Sequence, residues 1–149
     1  MRPLLSFQEY FEQGIIKRQA SDIPRAKFLI QESEKSFIGL KRRVETAEID
    51  EFNTNSIIKD CHDIIIELIR AKMLIDGFNA SGNYAHEAEV SYMQIMGFKE
   101  KEVDFMNELR FFRNSITYYG KILDADYAKI VVDFLYKIYP KLEEILKSA

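Results

Sequence analysis

From Ser21 onward, apolar residues recur at three- and four-residue steps, the spacing that lines one face of an α-helix. Ser21-Asp22 followed by Pro24 reads as a helix start, because Asp caps free backbone N–H groups and Pro is tolerated in a first turn. Ala26, Ile30, Phe37, Leu40, Val44 and Ala47 carry the pattern onward, with Ser33 between Ile30 and Phe37. Glu45 to Asn55 is a polar connection. The next helix presents Ile57, Cys61, Ile64, Ile65, Leu68, Ala71 and Ile75 on one face and ends at Gly77; its length favours helix over strand despite the isoleucines. Asn79 to Asn83 reads as a loop. A shorter helix follows, with Ala88, Tyr92, Ile95 and Met96 inward and Gly97 as its C-terminal cap.

Residues 99–116 form another helix, aligning Val103, Met106, Leu109, Phe112 and Ile116, and Gly120 ends that segment. Asp124 caps the last helix, which carries Tyr127, Ile130, Val131, Phe134, Leu135, Ile138, Leu142 and Ile145. Pro140 lies inside that pattern and should kink the helix or end it early. No internal repeat or linker interrupts the chain. The expectation is one all-α domain over residues 1–149, an up-and-down bundle of five or six helices.

Composition changes this picture little. A chain of 149 residues with 47% hydrophobic and 30% charged residues can bury a sizeable core. The densest apolar run, Ile64 to Ile69, is short and broken by Glu67, so no membrane span is expected. The opening Met-Arg-Pro-Leu-Leu lacks a signal-peptide pattern, which predicts a cytoplasmic protein. One cysteine (Cys61) and two histidines (His62, His86) make a poor metal inventory, and no metal or cofactor is expected.

The net charge of −3 argues against nucleic-acid binding over the whole surface. It is unevenly placed: residues 1–46 hold nine Lys/Arg against six Asp/Glu, and residues 47–149 hold twelve against eighteen. The one dense basic spot, Lys41-Arg42-Arg43, reads as cations at a helix C-terminus, with a phosphate-binding patch as the alternative.

Most chemistry is excluded by absence of its motif: there is no glycine-rich phosphate loop and no HExxH. Asp60, His62 and Asp63 cluster in sequence, but consecutive helical residues point to different faces, and a solvated face explains Asp60 and Asp63. The stretch from Arg110 to Lys121 is more pointed. Arg110 and Arg113 are three apart, so two guanidinium forks can project from one side of a helix toward phosphate oxygens. Tyr118, Tyr119 and Lys121 follow at the helix end. The structural explanation pairs Arg110 with a carboxylate on another helix, such as Glu144, and uses the tyrosines to fill the end of the bundle.

Residues Ser81 to Gly120 add a resemblance. Ala85-His86-Glu87-Ala88, Gly97-Phe98, Glu108-Leu109-Arg110, Arg113-Asn114 and Tyr118-Tyr119-Gly120 together resemble a group of HEPN domains, small helical bundles tied to RNA cleavage and toxin–antitoxin pairs. The resemblance implies that Arg113 is the motif arginine that clamps phosphate and that Asn114 is the polar residue orienting the site. Tyr118 falls where active members place a histidine. That histidine suits proton transfer because its pKa lies near neutrality. A tyrosine, with a pKa of about 10, is a poor general base but can still donate a hydrogen bond to phosphate. His86 is the candidate to supply the missing proton shuttle, against a plainer role in helix packing; His62 reads as structural.

Three readings follow. The first is a non-catalytic or weakly active homodimer that binds RNA, a nucleotide or a separate nucleotidyltransferase, with Phe111, Tyr118, Tyr119 and Tyr136 available for an interface. The second is a metal-independent endoribonuclease using Arg113 and Asn114 with Tyr118 or His86. The third is a structural bundle whose arginines make internal ion pairs.

Overall fold

A computed structural model describes residues 1–120 and 123–147, and within them every side chain except those of Tyr118 and Tyr119. The described residues form six helices and two short strands. In chain order these are α1 (Phe7–Glu12), β1 (Ile16–Arg18), α2 (Ile23–Thr46), α3 (Thr54–Asp76), β2 (Phe78–Ala80), α4 (Ala85–Ile95), α5 (Glu100–Tyr119) and α6 (Ala125–Lys147).

The centre is α3. Its isoleucines are buried on nearly every side, and α2, α4, α5 and α6 all pack against it. Cys61 sits in this core, where burial pushes the thiol up to about 12 and leaves it inert at neutral pH. On the α2–α6 side, Phe37 stacks on Tyr139 with ring centroids 3.8 Å apart. The gap left by Ser33 in the α2 stripe is filled by chemistry: its hydroxyl is fully buried and donates to Glu67 Oε2 at 3.0 Å.

Local signals set the ends of the long helices. Asp22 accepts a hydrogen bond from the backbone of Arg25 at 3.1 Å, and Asp124 does the same for Tyr127 at 2.8 Å. Gly77 closes α3 with φ 85°, a left-handed conformation that a side chain would strain. A Cβ there would also stand 2.8 Å from the Gln19 carbonyl oxygen. The turn leads into β2, which pairs antiparallel with β1 in the register Ile16↔Ala80, Lys17↔Asn79 and Arg18↔Phe78.

Several expectations change. The β1–β2 pair takes Asn79 and Ala80 out of the expected loop, and α1 is an additional helix. Ser6 starts α1 with a reciprocal cap: its hydroxyl accepts from Glu9 N at 3.2 Å and Glu9 Oε2 accepts from Ser6 N at 2.8 Å. Ile95 and Ile130 face outward, 56% and 52% exposed, because each lies at the margin of its helix's apolar face. The last helix does not end at Pro140. It continues to Lys147 because Tyr139, Leu142 and Leu146 are buried on the core side, which outweighs one missing backbone hydrogen bond. No described helix is long and apolar enough to cross a membrane.

Candidate functional site

Arg113 leaves α5 toward α3. Its Nε donates to Asp63 Oδ1 at 3.3 Å and its Nη2 to Asp63 Oδ2 at 3.4 Å, while Nη1 donates to Thr117 Oγ1 at 2.9 Å. The two bonds to Asp63 are long for a charged pair, and both side chains retain solvent contact. Arg113 and Asn114 line a cavity of about 260 Å³ with His62, His86, Arg70 and the carboxylates of Asp63 and Glu67. Both histidines of the chain therefore meet the Arg113-Asn114 pair at one place.

Asp63 is held between two donors, with His62 Nδ1 2.8 Å from Oδ1. Burial is the largest influence on this carboxyl and pushes it up. The hydrogen bonds and charges of His62 and Arg113 together outweigh that and hold Asp63 below the usual carboxylate range. An ionised carboxylate only accepts, so the proton of a neutral His62 lies on Nδ1. Burial lowers the pKa of His62 and keeps the ring neutral, against the opposing pull of Asp63. Its Nε2 is buried and has no hydrogen-bond partner among the described residues.

His86 stands at the first turn of α4, exposed, with Nδ1 3.1 Å from Glu89 Oε1. Glu89 is buried and also takes two bonds from Arg70, Nε to Oε2 at 2.5 Å and Nη2 to Oε1 at 3.0 Å. Burial pushes Glu89 up, but the bonds from His86 and Arg70 win and hold it low. Around the cavity two arginines thus face three carboxylates, Asp63, Glu67 and Glu89, and an incoming phosphate would have to displace Asp63 from Arg113.

Arg110 does not join it. Its side chain is buried toward α4, with Nε donating to Asn107 Oδ1 at 3.0 Å and Nη2 3.7 Å from Glu87 Oε1. Glu87 is shared with Arg2, whose Nη2 lies 2.8 Å from Oε2. A step of three residues turns about 300° around a helix, enough to send two arginines to different neighbours. The expected forked pair is therefore two separate ion pairs, and the described partner of Arg110 is Glu87 rather than Glu144. Tyr118 and Tyr119 end α5, but their side chains, like the whole of Lys121, lie outside the described residues. Among the described residues no cluster of three or more His, Cys, Asp or Glu could hold a metal ion.

His62, read from the sequence as structural, is buried and bonded to Asp63 and also borders the cavity. The available signal was its neighbour Asp63, together with the charged stripe Asp60, Asp63, Glu67 and Arg70 running at helical spacing through an otherwise apolar helix. No protein-family model, curated protein or solved structure matches the chain.

Proposed function

We propose that the chain is a HEPN-type helical module that binds RNA or a nucleotide at the Arg113 cavity, without cleaving it or cleaving it only weakly. In this reading it acts in the cytoplasm as a homodimer beside a separate nucleotidyltransferase, in a toxin–antitoxin-like pair. The observation that carries the reading is the single cavity lined by Arg113, Asn114, Arg70 and both histidines. Guanidinium groups suit phosphate oxygens, and the long Arg113–Asp63 bonds leave a fork that a phosphate could take over. The Arg113-Asn114 pair on which the resemblance rests lies in the second half of α5.

The second reading, a metal-independent endoribonuclease, is favoured by one observation: His86 lines the cavity with Nδ1 turned to Glu89, which leaves Nε2 outside that bond as the candidate proton shuttle. A mixed RNA incubated in EDTA with wild type, Arg113→Ala and His86→Ala separates the readings. The binding module predicts RNA retention that falls at least tenfold in Arg113→Ala, with no cleavage by any of the three proteins. Cleavage lost in both variants would replace it with the nuclease. Equal RNA retention by wild type and Arg113→Ala would end both readings and leave a structural bundle.

A further inference from the structure

The charged stripe of α3 does more than border one cavity. Asp60, Asp63, Glu67 and Arg70 are spaced three, four and three apart, so they lie along one side of the helix. Three cavities follow that side. The one at Arg113 shares Asp63 and Glu67 with a cavity of about 340 Å³ toward Arg43, and shares Arg70 and His86 with one of about 630 Å³ toward the β1–β2 pair. The three cavities are neighbours along the stripe, with the Arg113 cavity in the middle.

The cavities differ in charge. At the Arg43 end, one arginine faces Asp60, Asp63 and Glu67, and Arg43 is already engaged by Asp60. At the β1–β2 end, Lys17, Arg25 and Arg70 face only Asp22 and Glu89. Arg70 and Glu89 neutralise each other, and Asp22 is occupied in capping α2. Lys17 and Arg25 are exposed and make no ion pair among the described residues. On an acidic protein, two unengaged cations in one cleft mark where a polyanion would run.

We infer that this row of cavities takes a single RNA strand that runs from the Arg113 cavity across Arg70 and His86 to Lys17 and Arg25, and not toward Arg43. This rests on the RNA-binding reading of the Arg113 cavity and adds to it a length and a direction. A mononucleotide would fill only the central cavity, whereas a longer strand would place further phosphates against Lys17 and Arg25.

The test titrates uridine monophosphate, a trinucleotide and a hexanucleotide of uridylate against wild type, Lys17→Ala/Arg25→Ala, Arg43→Ala and Arg113→Ala, at low and moderate salt. The expected result is affinity that rises with length in wild type. In the double variant the hexanucleotide should lose about tenfold while the mononucleotide is unchanged. Its salt dependence should also become shallower, by about 1.4 in the log–log slope for two phosphates released from contact. Arg43→Ala should bind as wild type does. Affinity independent of length, a double variant that binds the hexanucleotide normally, or a larger loss from Arg43→Ala would each overturn the inference. The RNA reading of the central cavity would survive those results provided Arg113→Ala still weakens binding. If Arg113→Ala has no effect while Lys17→Ala/Arg25→Ala does, the central reading fails and the β1–β2 end stands as a polyanion site.

Discussion

Arg110 and Arg113 sit one turn apart on the same helix, and each meets a carboxylate from a different helix. The Arg110 side is closed. Its guanidinium and Glu87 are both almost fully buried, and Arg2 covers the pair. The Arg113 side is open: Asp63 is 42% exposed, the bonds are long, and the pair borders a cavity with two histidines. The same residue types at neighbouring positions are thus sealed into the fold in one place and left open beside a cavity in the other. Burial, not residue identity, separates the two settings.

That contrast can be broken by mutation. The largest effect is expected from Arg110→Ala, which leaves the buried Glu87 with Arg2 as its remaining cation; a loss of about 3 kcal/mol in unfolding free energy is expected from urea denaturation. RNA binding by the folded fraction should be retained. A variant as stable as wild type would mean that Arg110 is as dispensable to the fold as an exposed residue.

A middle-sized effect concerns pH. Burial lowers the pKa of His62 in the folded chain, so below its ordinary value of 6.5 the unfolded chain takes up a proton that the folded chain resists. Stability from this group is complete above about pH 6.5 and is lost as pH falls, by at most about 1.4 kcal/mol per pH unit. Asp63 and Glu89, both held low, contribute stability that is present above their ordinary values of 3.8 and 4.5 and is lost further into acid. His62→Gln should therefore flatten the upper part of a stability–pH profile and leave a fall at the acid end. An unchanged slope between pH 6.5 and 5 would show that the ring is free to ionise in place.

The smallest effect sharpens the comparison from the other side. Arg113→Ala should cost less than about 1 kcal/mol of stability, since its ion pair is partly solvated. Its consequence belongs to binding. A stability loss as large as that of Arg110→Ala would put both arginines in the same structural class.

The long helices were legible because apolar spacing and caps act locally: Asp22, Gly77 and Asp124 each perform the role their residue types suggest. The β1–β2 pair was not, since its strands are three residues each and meet across some sixty intervening residues, with no alternation long enough to read. The first helix carried a legible mark in Ser6 and Glu9, but six residues give too little periodicity to notice. At the site, Arg113 and Asn114 could be singled out from sequence. The arrival of His62 beside them depends on how α3 is rotated against α5, a property of packing that no local pattern encodes. The parting of Arg110 from Arg113 has the same cause.

The buried bond from Ser33 to Glu67 has a consequence for alignment. Helices that meet through aliphatic side chains can exchange one arrangement for another by a screw step of one turn, about 5.4 Å, because such contacts carry little direction. After that step the hydroxyl of Ser33 would face hydrocarbon and Glu67 would lose its donor. The pair therefore indexes α2 to α3 like a tooth in a notch. Arg25, about two turns of α2 away from that notch, is thereby held at one height along the stripe.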